Sequence, residues 1–228
     1  MEARTNEVSF LALPTNWEER DGRWRELTSG GILWTECCQL VQHGATDATF
    51  EGLRQDLEQW RKYTGEATAC RLLKIAQLAA AQPAVTDGGL DRSRVSGLEE
   101  AWEWDAFRAF CGSPRLVENE VTLTALVVDE TKGDGFTAQL TLECLKNGTG
   151  SIYPAPAVHA FLTVDAEFQG AIDNAIAYAK AEGLSMDGRD IRWRLQPHDN
   201  RQLPLIGGPS IGLTFTIASL KLLAGGAS

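Results

Sequence analysis

The sequence is short of positive charge, of histidine and of the patterns that mark several common kinds of site. Its 228 residues hold 21 lysines and arginines against 31 aspartates and glutamates, a net charge of −10, and three histidines. Nucleic acids and anionic membranes both bind clusters of Lys and Arg, so this balance disfavours either as a partner. No run of about 18 uncharged apolar residues occurs, so the sequence predicts no membrane-spanning helix.

The five cysteines show no spacing that is typical of a redox or metal site. Cys37, Cys38, Cys70, Cys111 and Cys144 form no CxxC pair and no Cys/His ligand pattern. The first residues, MEARTNEVSFLALP, contain acids and lack the cationic start and apolar core of a secretory signal. We therefore expect reduced thiols in a cytoplasmic protein, with no metal and no cofactor. A redox or metal role for Cys37 and Cys38 is the alternative to ordinary helix packing.

Apolar residues in the first half recur at helical spacing, which predicts a helical module over residues 1–118. We expect four helices, at 31–43, 47–63, 66–82 and 97–111. Ser96 followed by Glu99 is a capping-box pattern for the fourth helix, which should end at Cys111 and Gly112. His43 should lie at the carboxyl end of the first helix, as a charge or cap partner for its last carbonyls.

This helical module is rich in tryptophan. It holds six of the seven tryptophans in the chain, which are Trp17, Trp24, Trp34, Trp60, Trp102 and Trp104. Aromatic side chains of this size commonly hold small helices together, and that is our interpretation of them. The alternative is that they line a groove for a ligand or a peptide.

Residues 119–228 show the alternation that is typical of strands, so the two parts together predict an α+β protein. VTLTALVVD (121–129) and FTAQLTLECL (136–145) predict a hairpin, and VHAFLTVDA (158–166) and RDIRWRLQP (189–197) predict two further strands. His159 should then lie at a strand edge. An amphipathic helix is expected over 169–183, and a nearly all-apolar final helix should be buried on most sides.

The stretch GGPSIG (207–212) opens this final helix and is the strongest candidate site. Glycines permit a tight backbone approach, and proline suits a first helical turn because no N–H donor is needed there. Ser210 would lie within that turn, beside unpaired N–H groups that can hold a developing oxyanion. The turn residues in this interpretation are Gly208, Pro209, Ile211 and Gly212, with Ser210 as the nucleophile. The alternative is that Ser210 only caps the helix.

Residues 160–225 resemble the proteolytic domain of Lon, the ATP-dependent serine protease. The resemblance lies in the order strand, helix, strand, loop and then a GPSxG turn that opens an apolar helix closing in L-x-G. The hairpin at 121–145 is similar to the first strands of that family, so the resemblance extends over residues 120–225. It implies a mixed sheet with the final helix packed against it, Ser210 as the catalytic nucleophile and a protein or peptide as the substrate.

Two departures from the Lon pattern affect this expectation. Lon proteases usually have an acid just before the glycine-proline-serine, where this chain has Gly207, and their base is a lysine some forty residues past the serine. Lys221 cannot replace that lysine, because eleven residues along one helix span about 16 Å. We expect the chain to be part of a longer protein that supplies the lysine. The alternative is an inactive Lon-like scaffold that serves as a protein-interaction module.

Two further features bear on catalysis and on partners. His198, followed by Asp199, is the other candidate base, although a single His-Asp in a polar loop is usually just solvated. No GxxxxGK[ST] loop occurs, so these residues carry no ATPase motor of the P-loop type. We therefore expect the helical module either to dock a regulatory protein or domain or to bury the active groove until a signal arrives.

Overall fold

The computed structural model describes residues 32–58, 66–82, 90, 92, 95–129, 134–159, 163–198 and 205–225. The chain divides into two compact units, of which the first comprises Met1–Pro114 with His159–Phe161 and the second comprises Arg115–Val158 with Leu162–Ser228. Within the described ranges, none of the helices combines the length and the apolar character needed to cross a bilayer.

The first unit contains the four predicted helices. They are α1 (Ile32–Gln42), α2 (Asp47–Glu58), α3 (Glu66–Ala80) and α4 (Ala101–Phe110). The end of the predicted second helix, at 59–63, lies outside the described residues. His43 follows α1 and its Nδ1 lies 2.8 Å from the Gln39 carbonyl, so its predicted place at this helix end is confirmed.

The predicted start of the fourth helix is wrong by four residues. The Glu103 carboxylate accepts the backbone N–H of Glu99 at 2.6 Å and of Glu100 at 3.1 Å, so the capping box lies on Glu100 rather than on Ser96. Arg71 of α3 also donates to Glu103 and forms an ion pair with it. This tertiary contact holds Glu103 at the helix start, which local sequence pattern alone does not reveal.

Tryptophan side chains pack between these helices. The rings of Trp34 on α1 and Phe110 on α4 lie 4.6 Å apart between centroids, and those of Trp104 and Phe107 lie 5.6 Å apart. Trp102 and Trp104 are both buried. The interpretation as packing residues is confirmed for these three tryptophans, whereas Trp17, Trp24 and Trp60 lie outside the described residues.

The second unit is built on a four-stranded mixed sheet, so the chain has an α+β fold. The strands follow the order β1-β2-β5-β3, with β1 antiparallel to β2, β2 antiparallel to β5, and β3 parallel to β5. A second sheet pairs β4 with β6 in parallel. The strand bounds are β1 (Val117–Asp129), β2 (Asp134–Lys146), β3 (Ile152–Pro154), β4 (Thr163–Val164), β5 (Arg189–Pro197) and β6 (Leu205–Ile206).

Three helices complete this unit, and one predicted strand is wrong. The helices are α5 (Pro156–His159), α6 (Ala166–Ala181) and α7 (Gly212–Ala224). Of the described residues in the predicted strand at 158–166, only Thr163 and Val164 are in a strand, and His159 ends α5 instead of lying at a strand edge. The cause lies at Asp165, whose carboxylate accepts the Phe168 N–H at 2.7 Å and so starts α6 three residues earlier than predicted.

The core of this unit lies between the sheet and the helices α6 and α7. Phe168 of α6, Trp193 of β5 and Phe215 of α7 are almost fully buried and form a triangle of rings with centroids 5.7 to 6.0 Å apart. Burial of each such side chain stabilises the fold by about 1.5–3 kcal/mol. The triangle therefore fixes both helices on one face of the sheet.

A buried ion pair joins the far end of the same sheet. Asp190, at the start of β5, pairs with Arg115 at 2.5 Å, and each side chain is 3% exposed. Arg115 also donates to the Tyr153 hydroxyl at 3.1 Å. The other oxygen of Asp190 accepts the backbone N–H groups of Thr149 at 2.8 Å and of Ser151 at 2.9 Å. The pair thus ties the start of β5 to β3 and to the segment that precedes β1.

Candidate functional site

The segment between β6 and α7 forms a tight turn that contains Ser210. The Gly212 N–H donates to the Pro209 carbonyl at 2.9 Å, and the Phe215 N–H donates to the Ile211 carbonyl at 3.0 Å. Ile211, with φ −80° and ψ −9°, is the N-cap residue of α7, directly before the first helical residue, Gly212. Ser210 therefore lies just before the helix and not within its first turn, which is a difference of one to two residues from our prediction.

A different structural feature explains why glycine stands at each of the three glycine positions of GGPSIG. A Cβ on Gly207 would come within 2.2 Å of Asp165 Oδ2, so a side chain there would displace the Asp165 carboxylate. Gly208 has φ +78°, in the left-handed region that favours glycine. A Cβ on Gly212 would lie 3.3 Å from the Ala171 Cβ, which reflects close packing of α7 on α6. The sequence-based prediction of a tight backbone approach is confirmed.

Asp165 connects the turn to the start of α6. Its carboxylate accepts the Gly208 N–H, at 3.1 Å to Oδ2 and 3.3 Å to Oδ1, in addition to the capping bond from Phe168. Because β4 and β6 pair in parallel, the segments that follow them, which carry Asp165 and Gly208, leave the strands side by side. Our sequence analysis missed Asp165, although an aspartate directly before the helical pattern AEFQGAI is a typical N-cap.

The Ser210 side chain is exposed and unbonded. Its hydroxyl makes no hydrogen bond to any residue that the structure describes, and no side chain caps α7. The alternative that Ser210 is a helix cap is therefore wrong. Within the described ranges, the backbone N–H groups of Ser210, Ile211, Leu213 and Thr214 also have no acceptor. A hydroxyl and several free donors thus share one end of α7.

Two exposed apolar side chains lie on α7, in the two turns that follow Ser210. Leu213 is 72% exposed and Ile217 is 40% exposed, three and seven positions after Ser210. The core-facing side of the helix is buried as predicted, whereas Leu213 and Ile217 lie on its exposed side. The core-facing residues are Phe215, Ala218, Leu222 and Leu223. An apolar surface therefore adjoins the serine.

The lysines of α6 and α7 lie far from Ser210. Lys221 lies about 16 Å along α7 from it, and Lys180 lies about 22 Å along α6 from Asp165. His198 is exposed, and its backbone N–H donates to the Thr137 carbonyl at 3.1 Å. Its ring makes no hydrogen bond to Ser210, and Asp199 lies outside the described residues. The proposed base is thus not found among the described residues.

A cleft of about 520 Å³ lies at the opposite end of α6 from Ser210. It is lined by two glycine-containing loops, 148–150 and 183–188, together with Lys180. Because Asp165 begins α6 and Lys180 lies in its last turn, this cleft is separate from the serine turn.

None of the five cysteines is in a disulfide bond in the structure. Cys37 and Cys144 are buried and the other three are partly buried. Burial raises the pKa of the Cys38, Cys111 and Cys144 thiols above the ordinary value, which favours the protonated, unreactive form. Among the described residues, no group of three or more His, Cys, Asp and Glu side chains is arranged to hold a metal ion.

Comparisons with protein-family models, curated proteins and solved structures give no match to this chain. Its function must therefore be argued from the Ser210 turn and from the motif that the sequence carries there.

Proposed function

We propose that the second unit is a Lon-like serine endopeptidase domain that cleaves a protein substrate through Ser210. The observation that carries this proposal is the exposed Ser210 on a glycine-rich turn, where neither its hydroxyl nor the backbone donors beside it bond to any residue that the structure describes. In a serine that merely caps a helix, the hydroxyl oxygen would accept a hydrogen bond from one of those donors. The mixed sheet with α6 and α7 packed on one face is compatible with the Lon-like arrangement that the motif implies.

The chemistry follows from the groups at the turn. Ser210 Oγ attacks the carbonyl carbon of the peptide bond, and the free N–H groups near Ile211 stabilise the negative charge on the carbonyl oxygen. The C–N bond then breaks, the amine leaves with a proton, and water hydrolyses the acyl-serine. Loss of one such oxyanion donor typically costs about 100- to 1000-fold in rate.

The base in this proposal is a neutral lysine outside these 228 residues. Lys221 and Lys180 are unsuitable, since they lie at the far ends of their helices from the turn. Burial would have to lower the pKa of the external lysine for it to accept the Ser210 proton near neutral pH. A regulatory protein that docks on the helical unit, and a cytoplasmic location, belong to the same proposal.

The second candidate function is a catalytically inactive Lon-like scaffold for protein interactions. The absence of any base in hydrogen-bond contact with Ser210, among the described residues, favours it. The exposed Leu213 and Ile217 beside the turn fit a binding surface as well as a substrate site.

A fluorophosphonate probe on the full-length protein distinguishes these candidates. We expect the probe to label Ser210, with loss of fluoride, and peptide cleavage to disappear in Ser210→Ala. Ser219→Ala is the matched control, because Ser219 lies on the same helix but is fully buried, so its removal should leave labelling unchanged.

Two results would contradict the peptidase proposal or change its base. Full-length protein that neither reacts with the probe nor cleaves any peptide would favour the scaffold. Cleavage by the 228-residue chain alone that is lost in His198→Ala would make His198 the base in place of the external lysine.

A further inference from the structure

We propose that Asp165 is the positioning residue of the site: its carboxylate holds the GGPSIG turn against the start of α6 and thereby fixes the direction of the Ser210 hydroxyl. The inference rests on the proposed function, since it assigns a role at the same site. Asp165 is distant from Ser210 in the sequence, and it does not touch the hydroxyl itself.

The Asp165 carboxylate makes two kinds of contact at once. Oδ1 accepts the Phe168 N–H at 2.7 Å, which caps α6. The Gly208 N–H, from the serine turn, donates to the same carboxylate at 3.1 Å and 3.3 Å. Hydrogen bonds to an ionised carboxylate are about twice as strong as those between neutral groups. One side chain therefore holds a helix start and the turn together.

Gly207 makes this contact possible. The space that a side chain at 207 would fill is taken by Asp165 Oδ2, only 2.2 Å from an ideal Cβ position. The carboxylate thus lies directly against the backbone of the turn, where it can reach the next N–H. The close approach indicates that the turn is shaped around Asp165.

The conformation of Ser210 depends on the residue that Asp165 holds. Gly208 adopts φ +78°, and Pro209 follows with a φ that its ring fixes near −65°. The fixed φ of Pro209 limits how Ser210 can be placed relative to Gly208, so the position of Gly208 restricts where Ser210 and its neighbouring N–H groups lie. Apart from the bonds made by the first turn of α7 itself, Asp165 is the only described residue that forms a hydrogen bond with the backbone of residues 207–211.

Substitutions at Asp165 separate its capping role from its positioning role. Asp165→Ser retains a good N-cap for α6 but is too short to reach Gly208. Asp165→Asn retains an oxygen that can accept both N–H groups, without the charge. Asp173→Asn, on an exposed position of the same helix, is the matched control.

The measurements are amide hydrogen exchange at Gly208, Hα–Hβ couplings of Ser210, thermal unfolding and the rate of fluorophosphonate labelling. For Asp165→Ser we expect nearly unchanged unfolding, exchange at Gly208 that is about 10- to 100-fold faster, averaged Ser210 couplings and labelling about tenfold slower. Asp165→Asn should recover most of the protection and of the labelling rate. Asp173→Asn should match the wild type.

Several outcomes would overturn the inference. Unchanged Gly208 exchange in Asp165→Ser would mean that the carboxylate does not hold the turn. Faster exchange with unchanged Ser210 couplings and labelling would mean that it holds the turn without positioning the serine. If wild-type Ser210 never reacts with the probe, the proposed function fails, while the exchange and coupling measurements still decide whether Asp165 fixes the turn.

Discussion

Replacement of Asp190 by asparagine should destabilise the second unit strongly. Asp190→Asn keeps an oxygen for the N–H groups of Thr149 and Ser151, which now donate to Oδ1. It removes the negative charge that faces Arg115 and places an NH₂ group against the guanidinium. The size and shape of the side chain hardly change, so the effect isolates the ion pair.

The burial of the Asp190–Arg115 pair determines how much stability the substitution removes. Both side chains are 3% exposed, so solvent cannot replace the missing charge. Loss of one partner of a buried ion pair costs about 3–5 kcal/mol. Arg115 keeps its bonds to the Lys146 carbonyl at 2.7 Å and to the Tyr153 hydroxyl at 3.1 Å, which favours the lower end of that range. A cost of about 3 kcal/mol corresponds to a melting temperature lower by about 10–15 °C for a unit of this size.

Amide hydrogen exchange in β5 measures this loss directly. About 3 kcal/mol corresponds to roughly 100-fold faster exchange of the most protected β5 amides. Asp173→Asn is again the control, since that side chain is exposed and accepts only the Gln169 amide at 3.0 Å. If Asp190→Asn and Asp173→Asn exchanged at similar rates, the buried pair would not stabilise the unit as argued.

Three further perturbations test other parts of the fold. Gly148→Ala should lower the free energy of unfolding, measured with denaturant, by at least about 2 kcal/mol, because its Cβ would lie 2.2 Å from the backbone of Arg189 and Asp190. Gly170→Ala, where the added Cβ on α6 meets open space, should raise the free energy of unfolding by about 0.5–1 kcal/mol. Equal effects of the two substitutions would contradict this. Ser219→Ala should raise stability by about 1–2 kcal/mol, since its buried hydroxyl has no partner in the described structure, and a loss of stability would refute the assignment. Burial by itself would raise the pKa of Glu103, but hydrogen bonds from Arg71 and from the N–H groups of Glu100 and Glu99 outweigh it, so the pKa is lowered. The stabilisation from Glu103 is therefore present above its unfolded pKa of about 4.3 and is lost as pH falls through the lower folded value. Helical circular dichroism of Glu103→Gln should show a weaker acid dependence, and an unchanged acid transition would contradict the reasoning.

The elements that the sequence predicts well are those with a long, regular pattern. The strand at 189–197 has the predicted bounds, and the hairpin and α6 differ from prediction only at their ends. Alternation over nine or more residues identifies a strand because it reflects which face is buried. β3, with three residues, and β4 and β6, with two each, are too short to show any period.

The features of the site likewise divide into those that the sequence predicts and those that it does not. The glycine-proline-serine stretch alone predicts a tight turn before an apolar helix and a serine at its start, because glycine and proline act through their own backbone preferences. The hydrogen bond from Gly208 to Asp165, the exposure of Ser210 and the capping of α4 by Glu103 depend on which distant residues meet. The sequence by itself therefore determined the fold class and the tight turn that carries Ser210, since both follow from local pattern and backbone chemistry. Tertiary structure alone decided what holds the turn and whether the serine hydroxyl is free, because those properties arise from contacts between residues far apart in the chain.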